Sequence, residues 1–329
     1  MFSRTKVVAG FAAAALFLTA CTSETESTDS GTTAAAGDDA YSIGINQLVQ
    51  HPALDAATAG FKEALEEAGV EVSYDEQNAN GEQATALTIA QQFAGKDLDL
   101  VLSVATPAAQ ATAQNITDIP VLFTAVTDPV SAELVDSEEA PGANVTGTSD
   151  VAPIEDQLDL LKELVPDAEK VGIVYASGEV NSQVQVDLAK EAAGPRDLEI
   201  VTQTVTTAND IQQAVEALGD VDAIYVPTDN MVVAGIASLV QVAEQKQIPV
   251  IAAEAGTVEG GAVATLGIDY TELGRQTGEM AVRILRDGED PATMSVEKAT
   301  EFTYVINEDA AERLGVTIPQ EILDEAETV

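Results

Sequence analysis

Tryptophan is absent from this 329-residue chain, and cysteine and histidine occur once each. A single cysteine, Cys21, excludes any disulfide within the chain. One histidine, His51, and one cysteine cannot supply a Cys/His zinc centre, and a Ser-His-Asp arrangement would have to be built on His51 alone. Neither GxGxxG nor GxxxxGK[ST] occurs, so the glycine cradles for dinucleotides and nucleotide phosphates are missing. Carboxylate pairs can do acid/base work, but among 56 acidic residues their spacing carries no information. Basic residues are scarce, 14 in all, and the formal charge of −42 argues against nucleic acid or an anionic membrane surface as partner. The acids are spread along the chain. A solvated acidic surface is the plain reading, and it suits saline or acidic surroundings because salt screens the self-repulsion. Nothing marks an enzyme, and no cofactor or metal is called for.

The N-terminus has its own logic. Arg4 and Lys6 precede an apolar stretch over residues 7–18, and small residues follow it up to Cys21. A charged start, a short apolar core and a small-residue end describe an export signal over residues 1–20. That stretch is too short to span a bilayer, which takes about 20 apolar residues. The LTAC at 18–21 resembles the lipobox of bacterial lipoproteins, which implies lipidation of Cys21 as the first mature residue. Residues 21–40, rich in Ser, Thr, Ala, Gly and acids, are expected to form a disordered tether.

The remaining chain repeats itself. Ile43-Gly44-Ile45 is matched by Val171-Gly172-Ile173, the run at 99–104 by that at 222–226, and Ile119-Pro120-Val121 by Ile248-Pro249-Val250. An offset held over about 80 residues implies two units of one design. Each reads as strands alternating with amphipathic helices, the pattern of a parallel sheet covered by helices. Helices are expected at 54–68, 83–93, 106–115, 154–164, 183–193, 211–218, 229–245, 273–285 and 308–314. Strands are expected at 41–46, 71–74, 98–104, 121–125, 145–148, 171–175, 200–205, 221–226, 250–253, 263–267 and 302–306. The expected fold class is α/β, two Rossmann-like lobes with parallel sheets joined by three crossing segments near 145–150, 266–270 and 301–304. Lobe 1 would take residues 41–148 and 270–300, and lobe 2 residues 149–269 and 301–329.

Ligands of open α/β sheets bind at the carboxyl ends of the strands, so the strand-to-helix turns facing the cleft are the candidate site. In chain order these supply Gln47, His51, Ala105, Thr106, Ala125, Thr127, Asp128, Ser177, Asn181, Asp229, Asn230 and Glu254. Thr106-Pro107 reads as the cap and first turn of a helix, whose amides and dipole favour an anion such as a carboxylate. Thr127 closes the neighbouring strand. Asp229, in VPTDN, occupies the matching place in the second unit and offers a negative charge. Thr106 and Asp229 have a plainer reading as caps of their own helices. Together, a helix start facing an aspartate fits a zwitterion.

The stretches HPALDAATAGFKEAL, ATPAAQA, FTAVTDPVSAELV, PGANVTGTSD and VPTDN, in this order, resemble the substrate-binding lipoproteins of ABC importers, in particular their tryptophan/tyrosine-type amino acid group. The resemblance covers nearly all of residues 41–317. It implies the type I periplasmic-binding fold, an exported protein lipid-anchored to the outer face of the bacterial membrane, and a monomer that closes on a small-molecule ligand and hands it to ABC permease subunits. Branched-chain amino acid binders are similar more distantly, and their strand-end pattern implies a ligand carboxylate near Ala105 and Thr106, an ammonium near Ala125 and Thr127, and an acidic residue of the second lobe, here Asp229, completing the site. The lack of tryptophan, with aromatics at 4%, departs from an aromatic-stacking pocket. A sugar or other small-molecule receptor, or a sensor subunit presenting ligand to a membrane kinase, are the alternative readings.

Overall fold

A computed structural model describes residues 40–329. The export signal, Cys21 and all but the last residue of the expected tether lie outside the described residues. The chain opens with β1 (Tyr41–Gln47), α1 (Pro52–Glu67), β2 (Val72–Asn78), α2 (Gln83–Phe93), β3 (Leu100–Val104), α3 (Thr106–Asn115), β4 (Val121–Thr124) and β5 (Val145–Ser149). There follow α4 (Ile154–Leu164), β6 (Lys170–Ala176), α5 (Val180–Ala193), β7 (Glu199–Val205), α6 (Ile211–Ala217) and β8 (Ala223–Val226). Then come α7 (Asn230–Ala234), α8 (Ile236–Lys246), β9 (Val250–Glu254), α9 (Ala255–Glu259), β10 (Ala264–Ile268) and α10 (Tyr270–Val282). The last elements are β11 (Glu297–Lys298), β12 (Thr303–Ile306), α11 (Glu308–Leu314), α12 (Gln320–Leu323) and β13 (Glu327–Thr328).

Two sheets form. The first runs β2-β1-β3-β4-β5-β11 and is parallel throughout. The second runs β7-β6-β8-β9-β10-β12-β13, with β12 antiparallel to β10. The internal repeat is realised as one strand order used twice, because equivalent apolar runs bury equivalent strands between helices. Ile43, Phe61, Phe93, Leu102 and Phe123 anchor the first core. The second sheet is covered on both faces, by a layer around Leu158, Leu161 and Tyr225 and another around Ile211, Ile224 and Val242. The chain passes between sheets three times: after β5, between β10 and α10, and between β11 and β12.

The differences from the sequence reading have local causes. β2 runs on through Asp75, Glu76 and Gln77, polar residues that an edge strand paired on one side tolerates. The single helix expected over 229–245 is broken at Gly235, where a Cβ would lie 2.4 Å from Ile211 Cδ1. The two-residue strands β11 and β13 and the short α9 carry too little pattern to be read from sequence.

Candidate functional site

The carboxyl ends of the two sheets face each other across a small closed cavity of about 10 Å³. His51, Ala125 and Asp150 line it with Asn181, Thr228, Asp229, Asn230, Glu254 and Tyr270. Side chains also bridge the lobes around it: Gln185 Nε2 donates to Thr127 Oγ1 at 3.4 Å, and the Thr127 and Thr228 hydroxyls lie 3.5 Å apart. At the rim, Gln83 Nε2 donates to the Gly178 carbonyl at 2.8 Å.

On the first lobe, α3 begins at Thr106, one residue before the position its proline suggested. Ala105 is therefore the cap residue, and it sits at φ 81°, ψ 152°, a region that side-chain-bearing residues rarely enter. Ala125, at the end of β4, has φ 56°. Strained backbone at two neighbouring strand ends is characteristic of a site that holds its amides and carbonyls in set positions. Thr106 does not cap its helix. Its hydroxyl is buried without a hydrogen-bond partner among the described residues. The first-turn N–H groups of Thr106 and Ala108 have no intrahelical acceptor, so hydroxyl and amides together make an anion-binding helix start.

Acidic side chains gather around the same cleft. Asp150, Glu179, Asp229 and Glu254 are all buried, and the described ion pairs involve other acids. Burial raises the pKa of each. Asp229 caps α7, with Val232 N–H donating to Oδ1 at 2.7 Å and Ala176 N–H to Oδ2 at 2.6 Å. Glu254 caps α9, accepting from the Gly256 amide and the Thr257 hydroxyl. Asp150 accepts two hydroxyls, Thr127 at 2.9 Å on Oδ1 and Tyr270 at 2.7 Å on Oδ2. Its oxygens keep lone pairs for a further donor.

His51 is 8% exposed and lies beside the Asn230 side chain, with neither ring nitrogen in a well-formed hydrogen bond among the described residues. Burial holds its pKa down to about 4, so it is neutral at pH 7. Asn181 donates from Nδ2 to the Thr228 carbonyl at 3.1 Å, leaving Oδ1 unpartnered. Buried polar atoms are nearly always satisfied, and three residues where they are not, His51, Thr106 and Asn181, belong to the strand-end turns of this cleft.

Not every candidate faces this cavity. Gln47 is engaged within its own lobe, donating to Val49 O and Asp55 Oδ1 and accepting from Thr58 Oγ1. Asp128 holds a surface turn through the amides of Val130 and Ser131. Ser177 lines a second interlobe space beside the first. None of Asp150, Glu179, Thr228 and Tyr270 is a candidate on the sequence, although Asp150 ends the PGANVTGTSD stretch and Thr228 lies in VPTDN. Only tertiary contact brings Tyr270 to Asp150, 120 residues apart in sequence.

The comparisons with known proteins agree with this geometry. A "Tyrosine-binding protein" of Clostridioides difficile is 42% identical over 279 residues, covering 83% of this chain and 81% of that protein. A Streptococcus pneumonia ABC domain in complex with L-Trp superposes with TM-score 0.85 at 37% identity, covering 88% of this chain and 100% of that one. A ligand-free, open substrate-binding protein with adhesive properties from Clostridium difficile is more similar in sequence, 44%, covering 88% of this chain and 99% of that one. It superposes less well, at TM-score 0.68, so the lobes here adopt the arrangement of the ligand complex rather than the open one. The fold is that of type I periplasmic binding proteins. The family model for ABC transporter substrate binding proteins matches residues 42–329, and the chain belongs to that family.

Proposed function

We propose that this protein captures an amino acid outside the cytoplasm and delivers it to an ABC permease for import, tethered to the membrane by lipid on Cys21. The observation that carries the reading is the pairing of an anion-binding helix start on one lobe with buried, unpaired carboxylates around the same interlobe cleft. A ligand bearing one cationic and one anionic group satisfies both. An α-carboxylate would accept from the Thr106 hydroxyl and the first-turn amides of α3. The ammonium would bind Asp150, whose oxygens accept two hydroxyls and no backbone amide of another residue among the described residues, beside Thr127 and the Ala125 turn. Asp229, assigned that role on the sequence, lies on the same cavity and adds field from the second lobe, although its oxygens already accept two backbone amides.

Relatives that bind tyrosine and L-Trp favour the aromatic class of amino acid. A sugar would leave the carboxylates of this cavity without a cation, at a desolvation penalty. Native mass spectrometry of the purified protein, followed by calorimetry with the twenty amino acids, tests the reading. A co-purified amino acid, or one binding at micromolar concentration, is expected. If none binds below millimolar concentration, the reading is wrong.

A further inference from the structure

A second interlobe space adjoins the cavity, and Glu179 in its wall is hydrogen-bonded to Asn181 and Asn230 of the cavity lining. It offers about 340 Å³, well above the cavity's 10 Å³. Leu48 and Pro107 of the first lobe and Ala176, Val205 and Met231 of the second form its apolar walls, and Glu179 brings a buried carboxyl group to them. Pro107 belongs to the first turn of α3, so the helix start that would hold the α-carboxylate opens on this space. Asn230, which donates to Glu179, lines the smaller cavity where the ammonium would sit. An amino acid held at both points has its Cα between them and its side chain facing the larger space.

The two oxygens of Glu179 are used unequally. Oε2 accepts from Asn230 Nδ2 at 2.6 Å, Asn181 Nδ2 at 3.2 Å and the Asn230 amide at 3.3 Å. Oε1 makes no hydrogen bond among the described residues. The carboxyl is thus clamped at one oxygen and open at the other, in the wall of a space whose apolar side chains are joined by Glu82, Gln83 and Thr206.

We propose that Glu179 recognises the polar end of the ligand side chain in this second space, so that the protein selects aromatic amino acids with a ring O–H or N–H, tyrosine and tryptophan, over phenylalanine. The inference rests on the amino-acid reading above and deepens it. Burial, reinforced by Asp229, raises the Glu179 pKa to about 8, so at pH 7 the side chain is a neutral acid. With Oε2 already receiving three N–H groups, the proton belongs on Oε1. That group can donate to a phenol oxygen and still accept from a phenol or indole hydrogen. Phenylalanine would leave it buried without a partner, the situation in which polar sites reject an analogue lacking the matching group.

Calorimetry with L-tyrosine, L-tryptophan and L-phenylalanine on the wild type, Glu179→Gln and Glu179→Met decides it, with thermal unfolding to confirm that each variant is folded. The wild type should bind tyrosine and tryptophan at least about tenfold more tightly than phenylalanine. Glu179→Gln, which keeps a donor and an acceptor, should preserve that order. Glu179→Met should bring all three within about threefold, less than 1 kcal/mol, while phenylalanine binding holds. Should Glu179→Met not fold, Ser177→Phe fills the same space from an exposed loop position and should weaken tyrosine and tryptophan at least about tenfold. A wild-type ratio near one, an unchanged ratio in Glu179→Met, or no loss in Ser177→Phe overturns the inference. If a small or charged amino acid binds instead of all three, the amino-acid reading stands and this inference falls. If no amino acid binds, both fall.

Discussion

Asp150 and Asp229 lie on one cavity but are held differently, and that difference orders their expected contributions. Asp150 accepts two hydroxyls and retains acceptor capacity, whereas Asp229 is occupied by backbone amides of its own lobe. Asp150→Asn should therefore weaken the cognate amino acid by about 2–5 kcal/mol, since truncating one partner of a buried charge pair leaves the other uncompensated. Asp229→Asn should lose less affinity and more stability, because an amide cannot accept at both positions. Thr106→Ala should lower affinity by about 1–3 kcal/mol, as the amides of α3 remain. Calorimetry on the three variants checks the order, and a larger affinity loss in Asp229→Asn than in Asp150→Asn would reverse the assignment. Protonation has its own signature. Glu179 titrates near 8 in the fold against 4.5 for an ordinary glutamate, so the folded chain holds the extra proton between those values. Its contribution to stability is full below pH 4.5 and is lost as pH rises through 8. His51, lowered from 6.5 to about 4, acts oppositely: its contribution is present above 6.5 and is lost as pH falls toward 4. In Glu179→Gln the decline in melting temperature from about pH 6.5 to about 8.5 should flatten, and a profile parallel to wild type would contradict it.

At the scale of elements, α1 and α10 meet backbone to backbone. A Cβ on Gly274 would lie 2.0 Å from the Ala57 carbonyl oxygen, and one on Gly60 2.0 Å from that of Thr271. The helix that returns after β10 is thereby seated against the first sheet's covering layer, next to the crossing where Tyr270 reaches Asp150. Gly274→Val must push the helices apart, and overpacking of this kind destabilises by about 1–3 kcal/mol. Urea unfolding should show a lower midpoint with an unchanged slope. An unaltered midpoint would mean that the pair is not a rigid seat. The apolar face of each helix was legible as a 3.6-residue period, but this close approach was not, because glycine marks a contact only once the partner backbone is known.

For the whole molecule, closure and charge set the expectations. The bonds from Gln83 to Gly178 and from Gln185 to Thr127 join the lobes in the arrangement of a ligand complex. In solution the two lobes should open and close about the three crossings, as hinged receptors do around ligand. Small-angle scattering should give a smaller radius of gyration with saturating amino acid than without, and identical curves would contradict it. With 56 acids against 14 bases, self-repulsion opposes folding. Salt bridges relieve little of this, since most are partly exposed. The proposed lipid anchor is tested separately: if acyl chains on Cys21 hold the protein, Cys21→Ala should move it from the membrane fraction to the medium or periplasm, and unchanged fractionation would refute the anchor.

The amino-acid sequence by itself determined the alternation of strands and helices, the doubling of the unit and the strand-end turns where a site could form, because these follow from periodicity and from repeated local patterns. It also pointed to Thr106, Thr127 and Asp229 as polar residues at such turns. Only the tertiary structure decided which of them still has hydrogen-bonding capacity to offer. Among the described residues Thr106 has no hydrogen-bond partner, Thr127 supports Asp150, and Asp229 is engaged by Ala176 and Val232. It also joined residues distant in sequence: Tyr270 with Asp150, and Glu179 with Asn230. Hydrogen-bond capacity and burial depend on what lies nearby in space, and no local pattern in the chain records that.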